Sequence, residues 1–313
     1  MTERIILAID GGATKTSLLL RSESGNVIFE KTSSGSNYQT IGAEKVVSVL
    51  TDLLFKAYQA TNCSNIDCAV FAMAGIDTER DLITVKQIIE TACSNVPFSI
   101  NHLIVENDVL ATLIGLTKGS PGALLISGTG SIAFATDGRD TFTRTGGWGH
   151  RAGDEGSGYF IGREILQTIF RTADGRNTKL TILTELVLKK LEIKSVEQLN
   201  SWLYQEQYTN AQTASISSVL PEAIVLEDEL AINIAQNAAK ELSLLALTTV
   251  RKLEIGNTPF TMHLNGGVFK HNTFILEEFK QYTVNAFPNI SFTLCNENPI
   301  AYITNRALYA LKT

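Results

Sequence analysis

The sequence Ile5-Ile-Leu-Ala-Ile-Asp-Gly-Gly-Ala-Thr-Lys-Thr-Ser-Leu-Leu-Leu20 decides the fold, because it places a polar, glycine-rich loop between two short apolar runs. The runs Ile5–Ile9 and Ser17–Leu20 predict two strands, and the loop predicts a tight turn that joins them. Glycine allows backbone N–H groups to turn inward and approach an anion closely, and threonine adds a hydroxyl donor. An ordinary glycine-rich hairpin has the same composition. The loop is a candidate phosphate site formed by Gly11, Gly12, Thr14, Lys15 and Thr16.

A second loop of the same kind, Ser127-Gly-Thr-Gly-Ser131, lies between the apolar runs Ala123–Ile126 and Ile132–Ala135. Taken alone, Gly-Thr-Gly is as compatible with simple hairpin chemistry as with anion binding. The pairing of the two loops strengthens the anion-binding interpretation of both. Two such turns predict a duplicated domain that binds one polyphosphate from both sides, the second turn acting through Gly128, Thr129 and Gly130.

The order of the predicted elements repeats as well. In the first part of the chain, three hairpin-linked strands are followed by a helix over about 43–60, a strand, a helix and a further strand. After the stretch Lys118–Gly122 three hairpin-linked strands start again, with Asp137–Asp140 as the turn between the last two. The repeat is one of pattern rather than of sequence, and it is the best internal evidence for duplication.

This pattern predicts an α/β protein with two lobes. The first lobe is expected to cover residues 1–118, and the second residues 119–301. Residues 159–253 are predicted to be mainly helical and form an insertion in the second lobe. The last helix, about 302–313, is expected to return to the first lobe.

The composition excludes several classes of function. The chain has 313 residues, of which 44% are apolar, and a formal net charge of −6. The apolar content is sufficient for a sizeable core, and no basic cluster suggests nucleic-acid binding. The apolar runs are far too short to span a membrane, and the first residues lead directly into a strand without a signal-peptide pattern. The four cysteines form no CxxC pair, so we expect reduced thiols, no metal role for them and a cytoplasmic protein.

Two carboxylates are predicted at the ends of strands. Asp10 follows the first strand and is a candidate for holding Mg²⁺ through water, since this ion retains much of its hydration shell. Asp108 follows a short strand over Leu103–Val105, where side chains of open α/β folds face a cleft, and could accept a proton from a substrate hydroxyl. The alternative is that Asp108 only caps the helix that follows. Glu106 is expected to point the same way and is the less favoured base.

The stretch Gly146-Gly-Trp-Gly-His-Arg-Ala-Gly-Asp-Glu-Gly-Ser-Gly158 combines six glycines with an aromatic ring and ionisable groups. This combination suits a sugar, because the face of Trp148 can pack on a pyranose ring while carboxylates and backbone groups bind its hydroxyls. The alternative is a structural turn with Trp148 in the core. No second histidine lies at ligand spacing from His150, so the stretch does not predict a metal site.

One further turn, Asn265-Gly-Gly-Val-Phe269, follows a predicted strand and opens a helix. Such a turn allows an adenine or a phosphate to lie against the backbone, although a lone Gly-Gly turn is a weak signal.

Together these segments resemble the BadF/BadG/BcrA/BcrD ATPase family of the acetate-and-sugar-kinase/hsc70/actin superfamily, in the expected order over most of the chain. Asp10–Thr16 and Ser127–Ser131 are similar to the two phosphate motifs of the family, and Leu264–Phe269 to its adenosine motif. Ser36–Tyr38 with Ile41-Gly42 resembles the early sugar-binding segment. The most specific resemblance is that of Gly146–Gly158 to the Gly-Gly-Trp-Gly-His and Gly-Asp-Glu-Gly-Ser signature.

The resemblance implies two ribonuclease-H-like lobes with ATP in the cleft between them, and a homodimer. It implies an ATP-dependent kinase for the 6-hydroxyl of an amino sugar, with N-acetylglucosamine as the favoured substrate. In this resemblance Asp108 is the general base. The implied sugar contacts are Asn37, Asp108, Gly146, Gly147, Trp148 and Asp154, and the implied ATP contacts include Thr14, Thr129, Gly266 and Gly267.

The sequence departs from the family pattern at two places. Ala13 stands where many relatives have a third glycine, and alanine is tolerated there if its φ is negative. The stretch Asn298–Asn305 lacks the Gly-Ala pair that usually opens the last helix, which puts the close packing of that helix in doubt.

Several other functions stay open at this stage. Within the kinases, the substrate could be N-acetylmuramic acid, glucosamine or glucose. A non-catalytic sugar- or nucleotide-sensing protein is a second alternative, which intact Asp10, Asp108 and both turns argue against. A third is an ATPase that drives a partner, as in the 2-hydroxyacyl-CoA dehydratase activators of the family. Those activators need cluster cysteines, and this chain has no matching pair.

Overall fold

The structure is a computed structural model, and it describes residues 3–139, 141–255 and 258–312. Asp140, the last residue of the predicted second turn, lies outside the described residues. The chain divides into two compact units. Unit 1 contains the residues up to Gly119 together with the segment from Glu297 onward, and unit 2 is Ser120–Asn296.

Unit 1 is built on a five-stranded mixed sheet in the order β3-β2-β1-β4-β5. The first three strands are antiparallel neighbours, whereas β4 and β5 run parallel to β1. The strands are β1 (Ile5–Gly11), β2 (Lys15–Ser22), β3 (Val27–Ser34), β4 (Asn65–Met73) and β5 (Ser99–Asn107). The first helices are α1 (Tyr38–Ile41), α2 (Ala43–Thr61), α3 (Glu79–Ser94) and α4 (Asp108–Thr117).

Helices cover both faces of this sheet, which explains the continuous apolar runs of its central strands. Alternate side chains of β1 point to opposite faces, so that Leu7 and Ile9 pack with α2 and α3 while Ile6 and Ala8 pack with α4 and the last helix. Helix α2 buries one stripe of side chains at helical spacing against the first of these cores.

Unit 2 repeats this topology. Its sheet has the order β8-β7-β6-β9-β10, with β6, β7 and β8 antiparallel and β9 and β10 parallel to β6. The strands are β6 (Gly122–Ser127), β7 (Ser131–Thr136), β8 (Phe142–Gly146), β9 (Phe260–Asn265) and β10 (Ile290–Leu294). The predicted α/β fold with a repeated strand pattern is therefore confirmed.

Between β8 and β9 the chain is helical, as predicted, and this region supplies most of the apolar core of unit 2. The helices are α5 (Gly158–Ala173), α6 (Leu183–Lys190), α7 (Val196–Leu203), α8 (Asn210–Ile216), a 3₁₀ helix (Ser217–Val219), α9 (Leu220–Val225) and α10 (Glu229–Arg251). Two helices connect β9 to β10, namely α11 (Gly267–His271) and α12 (Thr273–Ala286).

The last helix, α13 (Pro299–Ala310), packs in unit 1 against α4, β1 and β4. Helix α13 approaches α4 closely without a glycine of its own, because α4 supplies the glycine at the contact. A Cβ atom at Gly115 of α4 would lie 1.9 Å from the carbonyl oxygen of Tyr302. The missing Gly-Ala pair of α13 therefore does not prevent close packing, and Gly115 supplies the space instead.

None of the helices in the described part of the chain combines the length and the apolar character that crossing a membrane requires.

Candidate active site

Three carboxylates of unit 1 follow parallel strands at the same edge of the sheet. Asp10 is near the end of β1, Asp77 follows β4, and Asp108 follows β5 directly as the first residue of α4. Because the carboxyl ends of parallel strands meet at one edge, this is where open α/β sheets bind ligands. Asp77 was not singled out from the sequence, although the strand-end rule that selects Asp108 applies to it equally.

The Asp108 carboxyl group is half-buried, and its pKa is raised to about 6. Burial is the main cause, and the negative charges of Asp10 and Asp77 raise the pKa further. A hydrogen bond from the Val109 N–H, at 3.0 Å from Asp108 Oδ1, opposes this shift. A pKa near neutrality allows the group to accept a proton in one step and release it in the next.

The alternative role of Asp108 as a simple helix cap is wrong, because its neighbour performs that role. Asn107 is the N-cap of α4, and its Oδ1 accepts hydrogen bonds from the N–H groups of Val109 and Leu110 at 3.0 and 3.3 Å. Asn107 Nδ2 also donates to the carbonyl oxygen of Ile76. The amide of Asn107 thus fixes the start of the helix and leaves the Asp108 carboxyl group for another purpose.

Glu106 has a structural role rather than that of a base. Its carboxylate forms an ion pair with Arg306 of α13, with Nε 3.0 Å from Oε2, and both side chains are largely buried. The expectation that Glu106 points with Asp108 fails because β5 ends at Asn107 and the alternation of the strand does not continue into α4. The two partners are 200 residues apart, so no local sequence signal identifies this pair.

The turn between β1 and β2 is closed by a hydrogen bond from the Gly12 N–H to the Lys15 carbonyl, at 2.9 Å. Among the described residues, the N–H groups of Ala13 and Thr14 have no hydrogen-bond partner, and both residues are exposed. Ala13 is not among the residues with positive φ, so alanine is accommodated in place of glycine. Two successive free amides are what an anion-binding turn requires.

The turn depends on a glycine from a neighbouring loop. A Cβ atom at Gly35 would lie 2.1 Å from the carbonyl oxygen of Ala13, so only glycine fits at this position. Sequence reasoning missed Gly35, because its contact with the turn bridges more than twenty residues.

One predicted phosphate contact of this turn needs correction. The Thr16 side chain is fully buried, and its hydroxyl lies 2.7 Å from the Ser34 carbonyl oxygen and 2.8 Å from Ser36 Oγ. A hydroxyl already bonded inside the unit is not available to a phosphate, so Thr16 is structural. Thr14 and Lys15, by contrast, are exposed.

The surroundings of Asp10 fit a bound cation. Burial raises the pKa of its carboxyl group, and Lys15 lowers it only partly. Within the described residues, no hydrogen bond or ion pair reaches this carboxylate, and no group of three or more His, Cys, Asp and Glu side chains is arranged as a metal cage. A single carboxylate suits Mg²⁺, which binds through one or two carboxylates together with water and substrate phosphates.

In unit 2, the turn between β6 and β7 lies against the N-terminus of α5. The Gly158 N–H donates to the Gly128 carbonyl at 2.8 Å, and the Tyr159 N–H donates to the Thr129 carbonyl at 3.2 Å. Gly128 and Gly130 close the turn with a hydrogen bond of 2.9 Å. In the part of the chain that is described, the N–H groups of Thr129 and Gly130 have no partner, and the Thr129 side chain is exposed.

A glycine from outside this turn also supports it, as Gly35 supports the turn between β1 and β2. A Cβ atom at Gly266, whose φ is +105°, would lie 2.1 Å from the Ser127 carbonyl oxygen. Gly266 is also the N-cap of α11, and Gly267 is the first residue of that helix. The predicted adenosine turn therefore lies directly against the predicted phosphate turn, within one unit.

A cavity of about 700 Å³ opens beside these two turns, entirely within unit 2. A volume of this size is typical of sites for cofactors and drug-sized ligands. Sequence reasoning did not find its helical wall, because the short helices of the insertion carry no motif. The lining includes Gly128, Thr129, Ser215, Ser217, Gly267 and His271.

The glycine-rich stretch 146–158 leaves its tryptophan on the surface. The Trp148 side chain is 71% exposed, so the alternative that it belongs to the core is wrong. Asp154 is buried and has a φ of +65°, and its Oδ1 accepts a hydrogen bond from the Ser131 N–H at 3.2 Å. Burial raises the pKa of Asp154. Gly146 and Gly147 both have a φ of +73°, a conformation that favours glycine.

Asn37 in unit 1 begins the short helix α1, where its Oδ1 accepts a hydrogen bond from the Gln39 N–H at 2.9 Å. A Cβ atom at Gly75 would lie 2.7 Å from the same Oδ1, so Asn37 packs closely on the segment that follows β4. The neighbouring Tyr38 hydroxyl donates to Asp81, and this bond lowers the pKa of that carboxyl group to about 2. The segment Ser36–Tyr38, which was predicted to bind the sugar, is thereby connected by a hydrogen bond to the first turn of α3.

Two repeated mixed sheets with helices define the fold of the actin-like ATPases and sugar kinases. The chain belongs to the BadF/BadG/BcrA/BcrD ATPase family, whose model matches residues 7–293. It is 30% identical over 289 residues to the N-acetylmuramic acid/N-acetylglucosamine kinase of Clostridium acetobutylicum, covering 92% of each chain. It is also 30% identical over 301 residues to the N-acetyl-D-glucosamine kinase of Dictyostelium discoideum, covering 92% of this chain and 93% of that protein.

A solved structure from Chromobacterium violaceum, assigned to the N-acetylglucosamine kinases, has the same fold. The TM-score is 0.69 at 21% sequence identity, and the match covers 98% of this chain and all of that one.

Proposed function

We propose that this protein is an ATP-dependent kinase that phosphorylates the 6-hydroxyl of an amino sugar, with N-acetylglucosamine as the first candidate. The observation that carries the proposal is Asp108, a half-buried carboxyl group at a strand end whose pKa is about 6 and whose neighbour Asn107 caps the helix. The two relatives that are 30% identical over 92% of the chain, both amino-sugar kinases, support the same reaction.

In this reaction Asp108 is the general base. Its carboxylate accepts the proton of the sugar hydroxyl as the oxygen attacks the γ-phosphorus of ATP and the bond to ADP breaks. A positioned base of this kind contributes about 10²–10⁴ in rate. Phosphoryl transfer depends mainly on positioning and on stabilising charge, so the other residues are assigned to binding.

We assign the adenosine of ATP to the cavity of unit 2, beside Gly266 and Gly267. The free N–H groups of Thr129 and Gly130 and the hydroxyl of Thr129 are assigned to phosphate oxygens. The N-terminus of α5 beside this turn adds a positive electrostatic end that favours the same anion.

In unit 1 the same role is assigned to the first turn, through Gly11, Gly12, Thr14 and Lys15. Asp10 is the residue that would hold Mg²⁺ through water. When bound, the ion neutralises phosphate charge.

The sugar is assigned to Asn37, Asp108, Gly146, Gly147, Trp148 and Asp154. N-acetylmuramic acid is a second candidate substrate, because the Clostridium relative is named for both sugars. The two sugars differ by an acidic substituent, so a direct comparison of their kcat/KM values decides between them.

The decisive experiment is a coupled ADP assay of the full chain with Mg-ATP over N-acetylglucosamine, N-acetylmuramic acid, glucosamine and glucose. We expect sugar-dependent ADP formation that is fastest with an N-acetylated amino sugar, and phosphate on the 6-oxygen by NMR. ADP formation that does not depend on any sugar would indicate an ATPase that drives a partner. Binding of ATP and sugar without ADP formation would indicate a sensing protein.

We place the enzyme in the cytoplasm, where ATP is supplied and its four free cysteines stay reduced. The homodimer that the family resemblance implies is tested by light scattering of the purified chain.

A further inference from the structure

The Trp148 side chain is exposed, and yet its ring is contacted by a neighbouring arginine. An exposed side chain on a turn with three left-handed glycines, Gly146, Gly147 and Gly149, would ordinarily be free to change rotamer. Fixing such a side chain on binding costs conformational entropy, and this cost weakens the binding of whatever the ring contacts. A neighbour that fixes the ring in advance removes part of that cost.

Arg144, in the middle of β8, is such a neighbour. Its guanidinium carbon lies 5.2 Å from the centroid of the Trp148 ring. Its Nη2 donates to the Gly147 carbonyl at 2.9 Å, and its Nε donates to the Gly146 carbonyl at 3.2 Å. The planar fork of one arginine therefore holds both the backbone of the turn and one face of the indole, which a lysine cannot do.

The backbone of Arg144 is itself anchored to α10. Lys252 Nζ donates to the Arg144 carbonyl at 3.0 Å, and the Thr143 hydroxyl donates to the Thr249 carbonyl at 2.8 Å. The guanidinium thus projects from a fixed strand rather than from a loop. Rigid support of this kind is what distinguishes a positioning residue from an incidental surface contact.

We propose that Arg144 is a positioning residue for sugar binding, which covers one face of Trp148 and presents the other face to the pyranose ring. The sugar part of this inference rests on the proposed function. Arg144 itself touches no reacting atom, so its contribution acts through Trp148 and falls on sugar binding rather than on the chemical step.

The first test needs no substrate. Trp202 is the only other tryptophan, so Trp202→Phe makes Trp148 the sole indole reporter. In that background we expect Arg144→Met to lower the steady-state fluorescence anisotropy and to raise the iodide quenching constant by about twofold. Arg144→Lys keeps the charge but loses the planar fork. We expect its anisotropy and quenching constant to lie between those of the protein with Arg144 and those of Arg144→Met. Unchanged anisotropy and quenching in both variants would overturn the proposal.

The second test separates sugar binding from chemistry. On the native background, Arg144→Met is expected to raise the sugar KM by about fivefold, in proportion to the cost of ordering one side chain. We expect kcat and the ATP KM to stay within about twofold. Arg171→Met, which removes an exposed arginine on the opposite end of α5, is the matched control for loss of positive charge and should leave the sugar KM unchanged.

A double-mutant cycle shows whether the effect passes through the indole. In a Trp148→Ala background, Arg144→Met should change the sugar KM by less than about twofold. A fivefold rise in that background as well would show that Arg144 acts by another route and would overturn the proposal. If Arg144→Met does not fold, Arg144→Lys carries the same comparisons. If the wild-type enzyme phosphorylates no sugar, the proposed function fails, while the fluorescence still decides whether Arg144 fixes Trp148.

Discussion

The turn between β1 and β2 and the turn between β6 and β7 have the same construction and different surroundings. Each leaves two successive N–H groups free among the described residues, those of residues 13–14 and 129–130. Each is also supported by a glycine from elsewhere, since a Cβ atom at Gly35 or at Gly266 would lie 2.1 Å from a carbonyl oxygen of its turn. The two units thus repeat both the strand order and the contact that shapes the turn.

The difference lies in what stands at the strand ends. The strand before the first turn carries Asp10, with Asp77 and Asp108 following the neighbouring parallel strands. The strand before the second turn ends in Ser127, whose buried hydroxyl donates to the Gly156 carbonyl at 3.0 Å. The first turn therefore has carboxylates at the neighbouring strand ends, whereas the strand end before the second turn carries a hydroxyl. The carboxylate that lies beside the second turn, Asp154, accepts a hydrogen bond from the Ser131 N–H of that turn. The two units thus share the backbone of the turn and differ in the side chains at the strand ends.

The difference between the two units is tested most directly by removing one carboxylate from each unit. Asp108→Asn should lower kcat by about 10²–10⁴-fold, because the base is lost, with the ATP KM within about twofold. Asp154→Asn in unit 2 should instead raise the sugar KM by about tenfold with a smaller effect on kcat, because it is assigned to binding. A coupled ADP assay measures both variants. An Asp108→Asn enzyme that retains more than about a tenth of the wild-type kcat would contradict the assignment.

The supporting glycines provide the next largest effect. Gly35→Ala and Gly266→Ala each force a Cβ atom into a backbone carbonyl, so we expect the free energy of unfolding to fall by about 2–4 kcal/mol in urea titrations. Gly266→Ala should cost more, since its φ of +105° adds backbone strain of about 1–2 kcal/mol. Gly128→Ala, where no atom lies within 4 Å of the added Cβ, is the control and should change stability by under about 1 kcal/mol. Equal stability of all three variants would show that the supporting contacts do not shape the turns.

The pH dependence tests the carboxylates of unit 1 as a group. The pKa of Asp108 is about 6 in the folded protein, against an ordinary value near 4, so the unfolded chain loses this proton first. Stability is therefore lost as pH rises from about 4 to 6, and the deficit is fully present above pH 6. Asp108→Asn should raise Tm by roughly 2–6 °C at pH 8 and by much less at pH 4.

The same group sets the pH dependence of activity. Because the base must be ionised, kcat/KM should rise about tenfold per pH unit below pH 6 and level off above it. A flat profile between pH 5 and 7, or an Asp108→Asn variant with an equal Tm gain at both pH values, would show that Asp108 does not titrate in this range.

The smallest expected effects distinguish the exposed hydroxyls from the buried one. Thr14→Val and Thr129→Val should each raise the ATP KM by about three- to tenfold, since each removes one donor to a phosphate oxygen. Thr16→Val should leave the ATP KM unchanged and lower stability by about 1–2 kcal/mol, because it removes the hydrogen bond to the Ser34 carbonyl and leaves the buried Ser36 hydroxyl without this partner. An ATP KM that rises for Thr16→Val as well would return Thr16 to the phosphate site.

The sequence predicted the central strands and the edge strand β10 closely, and the edge strands β3 and β5 only in part. Burial on both faces makes β1, β4 and β6 continuously apolar, and such runs are visible in a sequence. The edge strands β3 and β5 are largely exposed, and their apolar pattern marks only Val27–Phe29 and Leu103–Val105 of the eight and nine residues that form them. Hydrogen bonding to a neighbouring strand, rather than side-chain burial, defines the remainder.

At the candidate site, the strand-end rule and the glycine turns predicted roles for Asp10, Asp108 and the two turns. The same local rules could not identify partners that only the tertiary fold brings near, such as Arg306 for Glu106 or Gly35 for Ala13. Local rules also placed Thr16 among the phosphate ligands, because alternation along a strand does not reveal which hydroxyl finds a buried partner.

Unit 1 is assembled from two stretches of chain that are separated by the whole of unit 2. During synthesis, residues 120–296 therefore leave the ribosome before the segment that carries α13. Until that helix emerges, the core around Ile6 and Ala8 lacks Ile303 and Ala307. During translation, all of unit 2 is therefore synthesised before the helix that completes the core of unit 1.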